Sequence, residues 1–263
     1  MKNKNKVIGF VNQKGGVAKT TSAFNLAHGL ADRGYKVLAI DFDAQGNLTT
    51  AFGVELPDDA LTVGSWVLEE NGATFQNVKV KINDNLDLIP SGISLAGAES
   101  KIFAGLTREK KLSKAINNVK KNYDYDYIII DACPSLGVLT INVLAACNEI
   151  IVPLKPEGFS LVGALQLYDS INEVRESELN ENLKINGFLL TMCDTRRKKS
   201  KEYIDTIEDW AKKIGTRVYK THIRNLTDIS ASPDEGKSIF EYKPNSKGCE
   251  DYGNFVTEFL END

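Results

Sequence analysis

Histidine and cysteine are scarce in this 263-residue chain, and their scarcity excludes several kinds of chemistry. The two histidines, His28 and His222, are too few and too far apart for a metal cluster. The four cysteines, Cys133, Cys147, Cys193 and Cys249, include no pair within two residues of each other. There is thus no CxxC metal or redox signature, and reduced thiols without a ligand role are expected. Long apolar runs are missing as well: none approaches the roughly 18–20 residues needed to cross a bilayer. The basic start, Met1-Lys2-Asn3-Lys4-Asn5-Lys6, leads into an apolar run that breaks at Asn12. That run is too short for a secretory signal, so a cytoplasmic protein without a membrane partner is expected. No internal repeat, low-complexity tract or linker divides the chain, which points to one domain over residues 1–263.

What the chain does have is a regular alternation of β-branched runs and helical stretches. Val7–Val11, Val37–Ile40, Leu86–Ile89, Tyr127–Ile130, Ile150–Val152 and Gly187–Leu190 read as strands, with a further short one at 216–219. Their apolar residues are continuous rather than alternating, the mark of strands covered on both faces. Ala23, Leu26, Ala27 and Leu30 form a helical stripe, and helical spacing recurs from Gly158 to about Glu178 and around Tyr252, Phe255, Val256 and Phe259. The pattern predicts an α/β fold, a doubly wound and mostly parallel sheet with helices on both faces.

Between the first strand and first helix stands Lys14-Gly15-Gly16-Val17-Ala18-Lys19-Thr20-Thr21. Glycines let a backbone approach phosphate oxygens closely, and successive N–H groups at a helix start supply partial positive charge. Lys19 adds a full charge to such a cradle, and the Thr20 hydroxyl is placed to ligate Mg²⁺. The usual G-x-x-x-x-G-K-[ST] pattern is not met, because Gln13 and Ala18 occupy its glycine positions. Ala18 is expected at a helical φ, where its methyl group costs nothing. Two carboxylate clusters follow at strand ends, where α/β sheets bind ligands. The first is Asp41-Phe42-Asp43-Ala44-Gln45-Gly46-Asn47. The second is Asp131, which follows four apolar residues as in a Walker B strand, with its carboxylate holding Mg²⁺.

Together these segments resemble the deviant Walker A motif of the ParA/MinD superfamily of P-loop NTPases. Asn12-Gln13-Lys14-Gly15-Gly16 is especially like the ParA/Soj partition ATPases. Further matches are Asp131-Ala132-Cys133-Pro134, Leu190-Thr191-Met192-Cys193-Asp194-Thr195-Arg196, and Ile223-Arg224-Asn225 followed by Gly236-Lys237-Ser238-Ile239. The resemblance implies an ATPase that uses ATP and Mg²⁺. It implies that Asp43 positions the attacking water, that Asp41 supports the Mg²⁺ shell or the loop, and that Lys14 reaches a partner's phosphates in an ATP-closed homodimer. By the same analogy Met192, Arg224 and Asn225 flank the adenine. Cys133 replaces a proline that neighbours the γ-phosphate in relatives, so it is either a reactive thiol or a packed one.

Charge is unevenly spread around a net −4. From Cys193 to Arg224 there are ten Lys/Arg against five Asp/Glu, a local balance of +5. Arg196, Arg197, Lys198, Lys199 and Lys201 offer phosphate contacts without base readout, which suits non-specific DNA. The C-terminal stretch from Ser246 has one lysine against five acids, unlike a membrane-seeking helix. The chain starts at its first strand, so no N-terminal helix-turn-helix is expected. The reading is a partition ATPase associated with the nucleoid and stimulated by a ParB-type partner. Its alternatives are a relative that positions protein cargo, or a metabolic P-loop synthetase.

Overall fold

The structure is a computed structural model that describes residues 5–158, 160–194 and 198–262. Among the described residues seven strands form one sheet, in the order β3-β4-β2-β5-β1-β6-β7. These are β1 Lys6–Phe10, β2 Val37–Phe42, β3 Val80–Lys81, β4 Leu86–Ile89, β5 Tyr127–Ala132, β6 Glu149–Leu154 and β7 Lys184–Leu190. All pairings are parallel except that of β3 with β4, a two-residue antiparallel edge. The helices of the first half are α1 Lys19–Ala31, α2 Asn47–Ala51, α3 Val63–Leu68, α4 Phe75–Val78, α5 Ser94–Ala104, α6 Lys111–Asn122 and α7 Val138–Ala146. Those of the second half are α8 Ser160–Glu176, α9 Lys198–Lys213, α10 Thr227–Asp234, α11 Ile239–Tyr242 and α12 Lys247–Glu261.

Alternate strand residues feed two separate cores, which explains the continuous apolar runs. Ile8, Ala39, Ile129 and Ile151 pack under α1 and α12, against Phe24, Leu26, Tyr252, Phe255 and Phe259. Val7, Leu38, Ile128 and Ile130 face the opposite layer with Leu112, Ile116, Val143, Leu167 and Ile171. Each of these strand side chains is fully buried. The expected doubly wound, mostly parallel sheet is present.

One expected strand is not formed. Residues 216–219 make an isolated bridge between Val218 and Phe188. The Phe188 N–H donates to the Arg217 carbonyl at 2.9 Å, and the Phe188 carbonyl accepts from the Tyr219 N–H at 2.9 Å. Side chains take the neighbouring positions: Thr216 Oγ1 donates to the Ile185 carbonyl at 2.8 Å and Arg217 Nε to that of Asn186 at 2.9 Å. Backbone pairing therefore cannot run on as a ladder. Among the described residues no helix is long and apolar enough to cross a membrane.

Candidate nucleotide site

Strand β1 ends under a loop that turns into α1, and this loop is tied down at three places. Asn12 Nδ2 donates to the Pro153 carbonyl at 2.6 Å, while its Oδ1 accepts the Lys14 N–H at 2.9 Å. At the far end, Thr191 Oγ1 donates to the Val17 carbonyl at 3.0 Å. Gly15 and Gly16 arch between these anchors with their surfaces exposed. Gly16 has φ +69°.

Ala18 departs from expectation: its φ is +57° and ψ +35°, left-handed rather than helical. The first helical bond, from the Ser22 N–H to the Ala18 carbonyl at 3.0 Å, makes Ala18 the cap residue, outside the helix proper. A cap takes a non-helical conformation, and here the turn out of Val17 requires the left-handed one. An L-residue pays about 1–2 kcal/mol there, which glycine would avoid.

Lys19 and Thr20 follow at the first turn of α1. Lys19 is nearly buried, and burial lowers its pKa against the opposing pull of Asp131, Asp43 and Cys133. Thr20 Oγ1 donates to Asp131 Oδ2 at 2.6 Å, whereas Asp131 Oδ1 is buried with no hydrogen-bond partner. Burial first, and the nearby Asp41 second, push the Asp131 carboxyl up to about 8. A buried carboxyl with one idle oxygen beside a hydroxyl suits an oxygen-seeking divalent cation. Such a cation would repay the desolvation of the charged form.

Asp41 lies at the end of β2 and Asp43 directly follows the strand. Both Asp41 oxygens are engaged within the chain, Oδ1 by the Asp43 N–H at 3.2 Å and Oδ2 by the Thr49 N–H and Oγ1, each at 2.8 Å. Of the two roles expected for Asp41, these contacts serve the loop. Asp43 Oδ1 accepts the Gln45 N–H at 3.0 Å, and Asp43 lies on the cavity wall. Cys133 is 8% exposed and its Sγ packs on the Ser135 and Thr140 hydroxyls at 3.2 and 3.6 Å, and burial raises its thiol pKa, the arrangement of the packed alternative.

Above these groups lies a cavity of about 450 Å³. Of the residues expected at the site, Gly15, Gly16, Ala18, Lys19, Thr20, Thr21, Asp43, Met192, Arg224 and Asn225 all line it. Met192 and Arg224 are brought together because the Cys193 N–H donates to the Ile223 carbonyl at 3.0 Å, zipping the loop after β7 to residues 223–225. The Arg224 guanidinium, however, is turned to α12. Its Nη2 lies 2.6 Å from Asp251 Oδ1 and 2.8 Å from Glu250 Oε2, and these partners raise its pKa.

Lys14 does not line the cavity. Its Nζ is held by the Glu157 carboxylate, which also binds Lys155 at 3.1 Å. Of the expected DNA contacts, Arg196 and Arg197 lie outside the described residues, Lys198 and Lys199 open α9, and Lys201 is exposed on that helix. Sequence reasoning missed two walls of the cavity. One is α2, with Asn47, Thr50 and Ala51; the other is α10, with Ile229, Ser230, Pro233 and Asp234. The only signal for α10 was its apolar contact residue Ile229, and nothing local reports that the helix folds over the phosphate loop.

Comparison with known proteins agrees with this geometry. A family model described as an AAA domain matches residues 5–185. The chain is 41% identical to the sporulation initiation inhibitor protein Soj of Bacillus subtilis, over 98% of this chain and 99% of that protein. It is 38% identical to the chromosome-partitioning ATPase Soj of Treponema pallidum, over 98% of each. Among solved structures, cobyrinic acid a,c-diamide synthase from Mycobacterium smegmatis with bound ADP and magnesium superposes with a TM-score of 0.81 at 31% identity. That match covers 98% of this chain and 94% of the other. With the two-lysine phosphate loop, the Thr20–Asp131 pair and identity sustained over nearly its whole length, the chain belongs to the Soj/ParA family of chromosome-partitioning ATPases.

Proposed function

We propose that this ATPase is a DNA-partition switch: ATP closes two copies into a homodimer, the dimer binds DNA non-specifically, and hydrolysis releases it. The observation that carries the reading is the phosphate loop itself, with Lys19, Thr20 and Asp43 lining one cavity and Asp131 buried behind Thr20 in hydrogen-bond contact with it. Gly15 to Thr21 hold the triphosphate by backbone N–H groups and Lys19. Thr20 and Asp131 are the residues that would hold Mg²⁺, which when bound neutralises phosphate charge. Asp43 orients the attacking water, and Met192 and Asn225 bound the base.

Lys14 then acts on the partner's nucleotide, where its charge offsets that growing on the transferred phosphoryl group. In the single chain Glu157 holds it at the loop entrance, so closure of the dimer must exchange that carboxylate for phosphate. Lys14→Ala is expected to abolish ATP-dependent dimerisation and turnover while monomer ATP binding survives. Unchanged dimerisation in light scattering would remove the trans role.

DNA engages the basic start of α9 and the residues before it, Arg196, Arg197, Lys198, Lys199 and Lys201. A dimer doubles this patch, and a ParB-type protein accelerates release. Changing Arg196 and Arg197 to Glu is expected to abolish ATP-dependent DNA retention and spare basal hydrolysis, and plasmid binding kept at low salt would refute the patch. The likeness to cobyrinic acid a,c-diamide synthase supports a second reading, an ATP-dependent amidating synthetase. ATP turnover that rises with DNA and needs no carboxylic acid substrate decides for partition.

A further inference from the structure

Asp43 is the first residue of the loop after β2, yet its position is fixed by more than its neighbours. The loop from Asp43 to Thr49 closes on itself through a buried carboxylate. Asp41 Oδ1 accepts the Asp43 N–H at 3.2 Å, and Oδ2 accepts both the N–H and the hydroxyl of Thr49. Thr49 Oγ1 in turn accepts the Ser91 N–H at 2.9 Å, just beyond the end of β4. The path therefore runs from Asp43 through Asp41 and Thr49 to a second strand. Asp41, Thr49 and Ser91 are each at most 3% exposed, so no bulk water stands ready to replace a lost member. Gly46, at φ +64°, presses the same loop on Ser91: a Cβ there would sit 3.1 Å from the Ser91 carbonyl oxygen.

We propose that Thr49 is a positioning residue for Asp43, acting through the buried Asp41 carboxylate and anchored to β4 by Ser91. The proposal rests on the reading of Asp43 as the group that orients the attacking water. Asp41 accordingly belongs to this relay, with both oxygens spent on in-chain donors. Thr49 makes no hydrogen bond to the phosphate loop, whose anchors are Asn12, Pro153 and Thr191. Losing the Thr49 hydroxyl should thus misplace Asp43 and leave the nucleotide cradle standing. Displacements of this kind near 1 Å cost about a hundredfold in rate when they separate reacting groups.

The test compares Thr49→Val, Thr49→Ser and Asp43→Ala in the full chain with Mg-ATP, measuring kcat and, with a fluorescent ATP analogue, Kd. Thr49→Val is expected to lower kcat at least about tenfold with Kd within about threefold, and Thr49→Ser to restore kcat. Thr49→Val with unchanged kcat overturns the positioning role. So does parallel loss of kcat, Kd and melting temperature in both Thr49 variants, which is what a merely structural residue would give. If Thr49→Val does not fold, Thr49→Cys takes its place: its weaker donor should give a partial loss of kcat at constant Kd, and full kcat overturns the proposal. Full turnover in Asp43→Ala removes the underlying reading of Asp43. Loss in Asp43→Ala with an unaffected Thr49→Val removes the relay alone.

Discussion

Replacing Asp131 with asparagine should stabilise the nucleotide-free protein while disabling it. The carboxyl is 1% exposed, one oxygen has no partner, and its pKa stands at about 8 against an ordinary value near 4. A group raised in this way contributes stability that is fully present below about pH 4 and is lost as pH rises through about 8. At pH 7 the gap from the unfolded value corresponds to an upper figure of about 4 kcal/mol. Local relaxation and the weaker amide bond to Thr20 reduce this, so about 2 kcal/mol of net stabilisation is expected. Urea midpoints of wild type and Asp131→Asn, taken without nucleotide between pH 5 and 8.5, should diverge steadily as pH rises. With saturating Mg-ATP the order should invert, because only the wild type gains binding energy from the cation. An Asp131→Asn protein no more stable than wild type at pH 8 would refute the account of a cation site built from a frustrated carboxyl.

Ala18→Gly should stabilise the protein by about 0.5–1 kcal/mol, the left-handed penalty less the extra freedom of glycine when unfolded, read as a small rise in urea midpoint. His28, packed on Phe24 and Phe52 with its Nε2 unpartnered, has its pKa lowered to about 4 by burial. Its contribution is present above about pH 6.5 and is lost as pH falls through about 4, some 3 kcal/mol in all. His28→Leu should flatten that slope in urea titrations at successive pH values. Arg224→Ala strands the nearly buried Asp251 and should cost about 2 kcal/mol, and a second change, Asp251→Ala, should recover part of it in thermal melts.

Much of the sheet was legible because both its faces are covered, so apolar runs mark the strands without help from turns. The phosphate loop and its carboxylates were legible because their chemistry needs particular residue types at strand ends. Two-residue β3 carries too little pattern to detect, and residues 216–219 have a strand's composition but have their partners' acceptors taken by side chains. The φ of Ala18 was misread because the helix starts at the next residue, while the turn before it is held by a bond from Thr191 to Val17, 174 positions apart. The hold on Lys14 spans 143 positions, and no local pattern announces Glu157 as its partner.

The irregular segment along β7 has a consequence for how copies of this protein can meet. An open strand edge is a standing invitation to another chain, since its unpaired N–H and C=O groups will accept any extended backbone. Here the outer side of β7 is spoken for from Ile185 to Leu190, in turn by Thr216, Arg217, Tyr219 and Ile223. At the other margin β3 offers only two residues. The sheet therefore ends in stops on both sides, and assembly by strand addition is closed to it. That leaves loops and helices as the surfaces open to another copy, while the sheet stays indifferent to its neighbours.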